Sequence, residues 1–154
     1  MKTIQTLLFF ILIFFTIYQI TIFILSFFYK EKQNIKSNKQ HKFMAVIPAR
    51  NEEKVIQNLI NSLKNQNYPS ELLDIYVIAD NCTDRTALLS KEAGAIVYER
   101  YNNVRKSKGF ALEWFFNIIL NEYPNKYDAF CVFDADNIVA PDFFNIMNSK
   151  LCNR

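Results

Sequence analysis

Tyr127-Asp128-Ala129-Phe130-Cys131-Val132-Phe133-Asp134-Ala135-Asp136-Asn137 passes from five consecutive apolar residues, Ala129 to Phe133, to two carboxylates one residue apart. A short unbroken apolar run predicts a strand buried on both faces, as in a parallel sheet. Two carboxylates just past such a strand need a positive partner. A divalent cation fits, because Mg²⁺ and Mn²⁺ are commonly held by one or two carboxylates plus substrate phosphates. The motif alone is weak: seven Asp in 154 residues give roughly 0.3 chance Asp-x-Asp matches. The rival reading is a solvated turn in which Asp134 caps the next helix.

Working outward, the same pattern recurs. Phe43 to Ile47 reads as a short apolar strand, followed by Pro48-Ala49-Arg50-Asn51-Glu52-Glu53. Val55, Ile56, Leu59, Ile60 and Leu63 then fall on one helical face, predicting a helix from Glu52 to Gln66 with Asn51 as N-cap. Leu72 to Ala79 predicts a second strand, which ends on Asp80-Asn81-Cys82-Thr83-Asp84-Arg85-Thr86 and enters a helix through Glu92. Gly94 suits the C′ position of that helix. Ala95 to Tyr98 reads as a third strand, and Glu99 to Lys108 as a basic loop. Gly109 opens an apolar helix to Asn121, and Pro141 sits in the first turn of a last helix. Strands alternating with helices predict an α/β fold with a mostly parallel sheet.

Thr3 to Tyr29 contains no charged residue and is long enough to span a bilayer. It exceeds the apolar core of a secretory signal and ends without a small-residue cleavage site. Lys2 precedes it alone, whereas Lys30, Lys32, Lys36, Lys39 and Lys42 follow. The positive-inside rule predicts a single-pass membrane protein whose C-terminal domain is cytoplasmic. The organisation read from sequence is a transmembrane helix over 1–29, a basic linker over 30–42 able to touch membrane lipid, and a folded part over 43–154.

Charge and composition exclude several classes. Residues 1–42 carry six Lys against one Glu, while 43–154 carry twelve Lys plus Arg against fourteen Asp plus Glu. The basicity is therefore in the tail, and the folded part does not read as nucleic-acid-binding. Three cysteines without C-x-x-C spacing predict reduced thiols and no zinc site. His41 is the only histidine, which argues against a histidine-based triad. Only Gly94 and Gly109 are glycine, so neither a dinucleotide fingerprint nor a P-loop is present.

The polar clusters 48–52, 80–86 and 134–137 each follow the C-terminal end of a strand, where α/β sheets place their ligand crevice. With no glycine-rich loop, phosphates there would be met by a metal and by basic side chains. An acidic side chain such as Asp80 suits ribose hydroxyls or a uracil N–H, because a carboxylate only accepts.

Val46-Ile47-Pro48-Ala49-Arg50-Asn51-Glu52, Ile78-Ala79-Asp80-Asn81-Cys82-Thr83-Asp84-Arg85-Thr86, Lys108-Gly109-Phe110-Ala111-Leu112-Glu113-Trp114 and Phe133-Asp134-Ala135-Asp136-Asn137 resemble the successive motifs of family 2 glycosyltransferases. The membrane-attached organisation resembles their cellulose- and hyaluronan-synthase-like branch. The resemblance implies a GT-A fold, here its nucleotide-binding half, and a nucleotide-sugar donor, most simply a UDP-sugar, transferred to a polysaccharide or lipid acceptor. It implies that Pro48, Arg50 and Glu52 line base and ribose, and that Asp80 contacts uracil, with Asn81 and Asp84 shaping its loop. It further implies Lys108 near the diphosphate or base, Asp134 near ribose and metal, and Asp136 on Mn²⁺ or Mg²⁺. Such families place the acceptor site and general base downstream of the D-x-D. The chain offers no candidate base beyond Asp142, so it reads as truncated and is expected to transfer no sugar alone, a partner supplying the missing half. The alternatives are a non-catalytic nucleotide-sugar-binding remnant or interaction module lacking the catalytic base and, on a similar scaffold, a nucleotidyltransferase.

Overall fold

The computed structural model describes residues 2–28 and 39–152. It divides into two units, residues 1–34 and 35–154.

The first unit is one helix, α1 (Lys2–Phe28), of 27 residues. Its Thr3–Ser26 stretch is the one segment among the described residues long and apolar enough to cross a membrane. Polar side chains on it are satisfied locally: Thr16 Oγ1 donates to the Leu12 and Ile13 carbonyls, and Thr21 Oγ1 to the Ile17 carbonyl. Such internal satisfaction is what an apolar solvent demands of a helix.

The second unit is a four-stranded parallel sheet of β1 (Phe43–Ala49), β2 (Leu73–Asp80), β3 (Ile96–Arg100) and β4 (Ala129–Val132), in the order β3-β2-β1-β4. Helices α2 (Ile56–Lys64), α3 (Thr86–Glu92), α4 (Lys108–Glu122) and α5 (Phe143–Cys152) cover it. Alternation along the strands sorts the core into two layers. Phe43, Ala45, Ile47, Ile75 and Val77 face α2, α3 and α5, meeting Ile56, Leu59, Ile60, Leu63 and Phe144. Met44, Val46, Tyr76 and Ile78 face α4, meeting Ala111, Phe115 and Ile119. Each fully buried aliphatic or aromatic side chain here contributes about 1.5–3 kcal/mol. The expected α/β parallel sheet is thus present, with both faces of β1 and β2 buried.

The chain steps from β1 through β2 to β3, then returns across the sheet to place β4 on the far side of β1. That reversal makes a topological switch point beside β1, with α4 crossing the face opposite to the one that α2 and α3 cover.

Five local expectations are corrected. The helix expected from Glu52 begins at Ile56, after a turn in which Val55 and Ile56 amides bond to the Glu52 carbonyl. Asn51 is not its N-cap: it adopts φ 57° and its side chain serves the next loop. The third strand extends to Arg100, so Glu99 and Arg100 are sheet residues and not loop. The strand expected to be buried on both faces is an edge strand, with Phe130 and Val132 exposed on one face. His41 and Lys42, assigned to the linker by sequence, are tied into the folded unit: the His41 amide donates to Asn148 Oδ1 and the Lys42 amide to Asp128 Oδ2.

Gly94 closes α3 as expected. Its φ of 88° is left-handed, its amide bonds to the Lys91 carbonyl and the Ala95 amide to the Ser90 carbonyl. This 6→1 and 5→2 pair satisfies the last carbonyls and turns the chain into β3.

Candidate functional site

Pro48, Ala49 and Arg50 from the end of β1, Asp80 from the end of β2, and Ser107, Lys108 and Ala111 from the start of α4 line one cavity of about 120 Å³. It lies at the carboxyl ends of the strands. A larger cavity, about 240 Å³, lies at the opposite end against Leu73, Asp74, Ile75 and Ile96, the opening residues of β2 and β3, and is lined by none of the candidate site residues read from sequence.

The loops after β1 and β2 are fastened to each other. The Asn51 side chain accepts from the Thr83 amide (2.8 Å), Thr86 Oγ1 accepts from the Glu52 amide (2.8 Å), and Asp84 Oδ2 accepts from the Glu53 amide (3.2 Å). In return, Glu53 Oε2 accepts from the Arg85 amide, and the Cys82 thiol donates to the Ala49 carbonyl. Burial alone would raise the Asp84 carboxyl, but bonds from the Thr86 hydroxyl and amide and the Glu53 amide hold it below its ordinary value. Asp84 therefore shapes this loop pair through its hydrogen bonds. Glu52 is half-buried at the same junction and Arg50 is exposed.

Asp80 is 5% exposed. Its Oδ1 accepts from Arg100 Nη1 at 2.5 Å and from Asn81 Nδ2 at 2.9 Å. Sequence groups Arg100 with the basic loop residues that would meet phosphate; instead it is the last residue of β3 and lies directly beside Asp80 in the β2–β3 register, on the face of Ile96 and Tyr98. Asn81, at φ 52°, is a joint: its amide donates to the Arg100 carbonyl, and its side chain accepts from the Asn102 amide. Arg100 Nη2 in turn donates to the Arg105 carbonyl, tying residues 101–107 to the same pair.

Ser107, extended at φ −161°, caps α4 by accepting from the Phe110 amide. The cap leaves the other amides of the first turn, with their partial positive charge, at the cavity rim beside Lys108. Lys108 Nζ donates to Asp134 Oδ1, which brings the D-x-D turn to the rim. That turn is built on Ala135, 6% exposed and part of the core, with the Asn137 amide bonding to the Asp134 carbonyl. Because its centre is pinned, the flanking Asp134 and Asp136 are both directed to solvent. Asp136 does not line the cavity itself.

Among the described residues no cluster of three or more His, Cys, Asp or Glu makes a self-contained metal site. Two exposed carboxylates on one pinned turn are hard oxygen donors, and they fit a divalent cation that takes its remaining ligands from phosphate. Cys82, Cys131 and Cys152 are free thiols, and burial pushes Cys131 up, so it stays protonated.

A parallel sheet covered by helices on both faces, with a cavity rimmed by charged side chains at the carboxyl ends of its strands, defines an α/β domain of the doubly wound class. The pattern of glycosyl transferase family 2 matches residues 44–153, and the chain belongs to that family. It is 33% identical over 114 residues to the Probable glycosyltransferase YdaM of Bacillus subtilis (strain 168), covering 70% of the chain and 25% of that protein. Among solved structures, the mannosyltransferase PcManGT of Pyrobaculum calidifontis, in complex with GDP-Man and Mn²⁺, is similar with a TM-score of 0.59 and 19% identity. The match covers 77% of this chain and 36% of that one, and shows the fold. The glucosyl-3-phosphoglycerate synthase of Mycobacterium tuberculosis, in complex with Mn²⁺, UDP and phosphoglyceric acid, is similar with a TM-score of 0.54 and 26% identity over 68% of this chain and 37% of that one. The chain thus spans about a quarter of the curated relative's length.

Proposed function

We propose that residues 43–152 bind the nucleotide-sugar donor of a membrane-anchored family 2 glycosyltransferase, most simply a UDP-sugar, for transfer to a polysaccharide or lipid acceptor. The observation that carries this reading is the convergence of Pro48, Arg50, Asp80 and Lys108 on one cavity at the carboxyl ends of β1 and β2, with Asp134 joined to Lys108 at its rim. The neighbour of 26% identity crystallised with Mn²⁺ and UDP supports it.

In this reading the base and ribose enter between the loops after β1 and β2. Pro48, Arg50 and Glu52 border them, and the buried Asp80 accepts from a base N–H. Lys108, with the α4 N-terminus, meets the diphosphate, since such a terminus favours anions. Asn81 and Asp84 keep the loops in register. Asp134 and Asp136 hold Mn²⁺ or Mg²⁺, which when bound neutralises charge on the diphosphate leaving group. The cellulose- and hyaluronan-synthase-like branch is favoured by the long apolar α1, and we place the folded unit in the cytoplasm with its basic linker against the lipid. We assign no general base to these residues.

Calorimetry on the full chain in detergent micelles tests the reading. Mn²⁺-dependent binding of UDP, with Asp80→Ala and Asp136→Ala both weakening it, is expected. Unaltered binding in both variants would remove the assignment.

A further inference from the structure

The buried pair of Asp80 and Arg100 does more than neutralise a charge. Both side chains are almost sealed, 7% and 5% exposed. Both hydrogen bonds reaching the Asp80 carboxylate, from Arg100 Nη1 and Asn81 Nδ2, fall on Oδ1. Asp80 also lines the cavity. A carboxylate clamped by one oxygen has its other oxygen, Oδ2, left to accept from a ligand. The guanidinium is planar and always charged, and with Nη2 held by the Arg105 carbonyl its Nη1 is aimed at Asp80 Oδ1.

We infer that Arg100 is a positioning residue for base recognition: it clamps Asp80 Oδ1 so that Oδ2 presents an oriented acceptor to the N–H of a uracil-like base. The inference rests on the donor-site reading above and deepens it by naming what sets the choice of base. Arg100 has a second duty. Its Nη2 holds the Arg105 carbonyl, and Asn102 Oδ1 accepts from the Val104 and Arg105 amides. The conformation of residues 101–107, which lead into Ser107 and Lys108 at the cavity, is thereby tied to the group that reads the base. A lysine at position 100 reaches one of these partners at a time.

The discriminating probes are UDP and CDP. Uracil offers an N–H at ring position 3, where cytosine offers an acceptor. A hydrogen bond to a charged group is worth about 10- to 100-fold in affinity, so the native chain is expected to prefer UDP by that factor. Asp80→Asn keeps the shape of the side chain. With Oδ1 still held by Arg100, its amide nitrogen must occupy the Oδ2 position and donate, so the preference is expected to invert towards CDP. Adding Arg100→Met to Asp80→Asn leaves only the weaker neutral donor Asn81 Nδ2 on that oxygen, so the amide turns over more readily and the preference is expected to fall to within about threefold of parity. Arg100→Lys is expected to keep the UDP preference while trypsin cleavage after Arg105 and Lys106 accelerates.

Titration calorimetry on the full chain in detergent, with Mn²⁺ present, reads all of these. Inversion in Asp80→Asn that survives Arg100→Met, or no inversion in Asp80→Asn at all, overturns the positioning role. Equal loss of UDP and CDP binding in Arg100→Lys, with a lowered melting temperature, makes Arg100 merely structural and also overturns it. A native chain that binds both nucleotides equally sinks the base-contact reading itself, and this inference with it. Asp80→Asn is isosteric, so the test does not depend on Arg100 variants folding.

Discussion

The Lys108 ammonium donates to the Asp134 carboxylate, joining the first residue of α4 to the turn after β4. Both side chains are about half exposed, 48% and 62%. Exposed ion pairs contribute at most about 1 kcal/mol, so this contact is cheap to exchange for another. It holds two parts of the proposed site together and leaves both free to turn to a metal diphosphate.

Lys108→Met is therefore expected to move two affinities in opposite directions. Mn²⁺ alone should bind about threefold more tightly, because the ammonium no longer competes for Asp134. Mn²⁺-dependent UDP binding should weaken about tenfold, because a charged contact to the diphosphate is lost. Electron paramagnetic resonance titration of free Mn²⁺ and calorimetry of UDP measure the two separately. Parallel changes would show that Lys108 acts on the fold and not on the ligands.

Asp136 and Asp80 should separate metal from base. Asp136→Ala is expected to abolish the enhancement of UDP binding by Mn²⁺ while leaving metal-free binding in place. Asp80→Ala is expected to cost about tenfold with or without metal, the worth of one hydrogen bond to a charged group. Equal affinities of the native chain for ADP, GDP and UDP would count against the contact assigned to Asp80.

The sequence carried the sheet because its strands are short apolar runs punctuated by polar turns, and the parallel β-α alternation leaves few topologies. It carried Gly94 because only a left-handed position after a helix calls for glycine there. It misjudged places where tertiary bonds outrank local pattern. Glu52 and Glu53 look like a helix start, yet the Thr86 hydroxyl and the Asp84 carboxylate hold their amides in a turn. Arg100 looks like loop, yet pairing with Asp80 makes it strand. The exposure of β4 could not be read either, since an apolar run gives composition and not neighbours.

The zipper between the loops after β1 and β2 predicts an acid-sensitive fold. Burial would raise the Asp84 carboxyl, and bonds from Thr86 and Glu53 hold it down. At Asp128 the Lys42 amide is the main cause of a lowered value. A carboxyl depressed in the folded state stabilises it fully above the unfolded value of about 3.9 and ceases to as pH falls through the folded one. The urea midpoint should be level from about pH 7 to 5 and fall below about pH 4. Asp84→Ala should cost about 1 kcal/mol near neutrality, the low end for bonds to a charged group that is only half-buried, and should make the acid decline shallower. A decline of unchanged steepness in that variant would remove Asp84 from the account.

The last prediction concerns α1. Its apolar stretch, Thr3–Ser26, has 24 residues, about 36 Å of helix, against a hydrocarbon core of about 30 Å. Lys2 alone precedes it and five lysines follow by position 42, and a lysine bias of that size retains its own side in the cytoplasm. A reporter fused after Arg154 is expected to be active only in the form that works in the cytoplasm, with the chain remaining in the membrane fraction after alkaline extraction. Replacing Lys30, Lys32 and Lys36 with Gln and adding lysines before Thr3 should move a fraction of the reporter to the other side, because the bias is what sets the direction. Loss of about 3 kDa from the N-terminus on export would identify the helix as a cleaved signal instead. An external reporter on the native chain would defeat both the orientation and the donor-site proposal, since it would remove the folded unit from the cytoplasm where that proposal needs it.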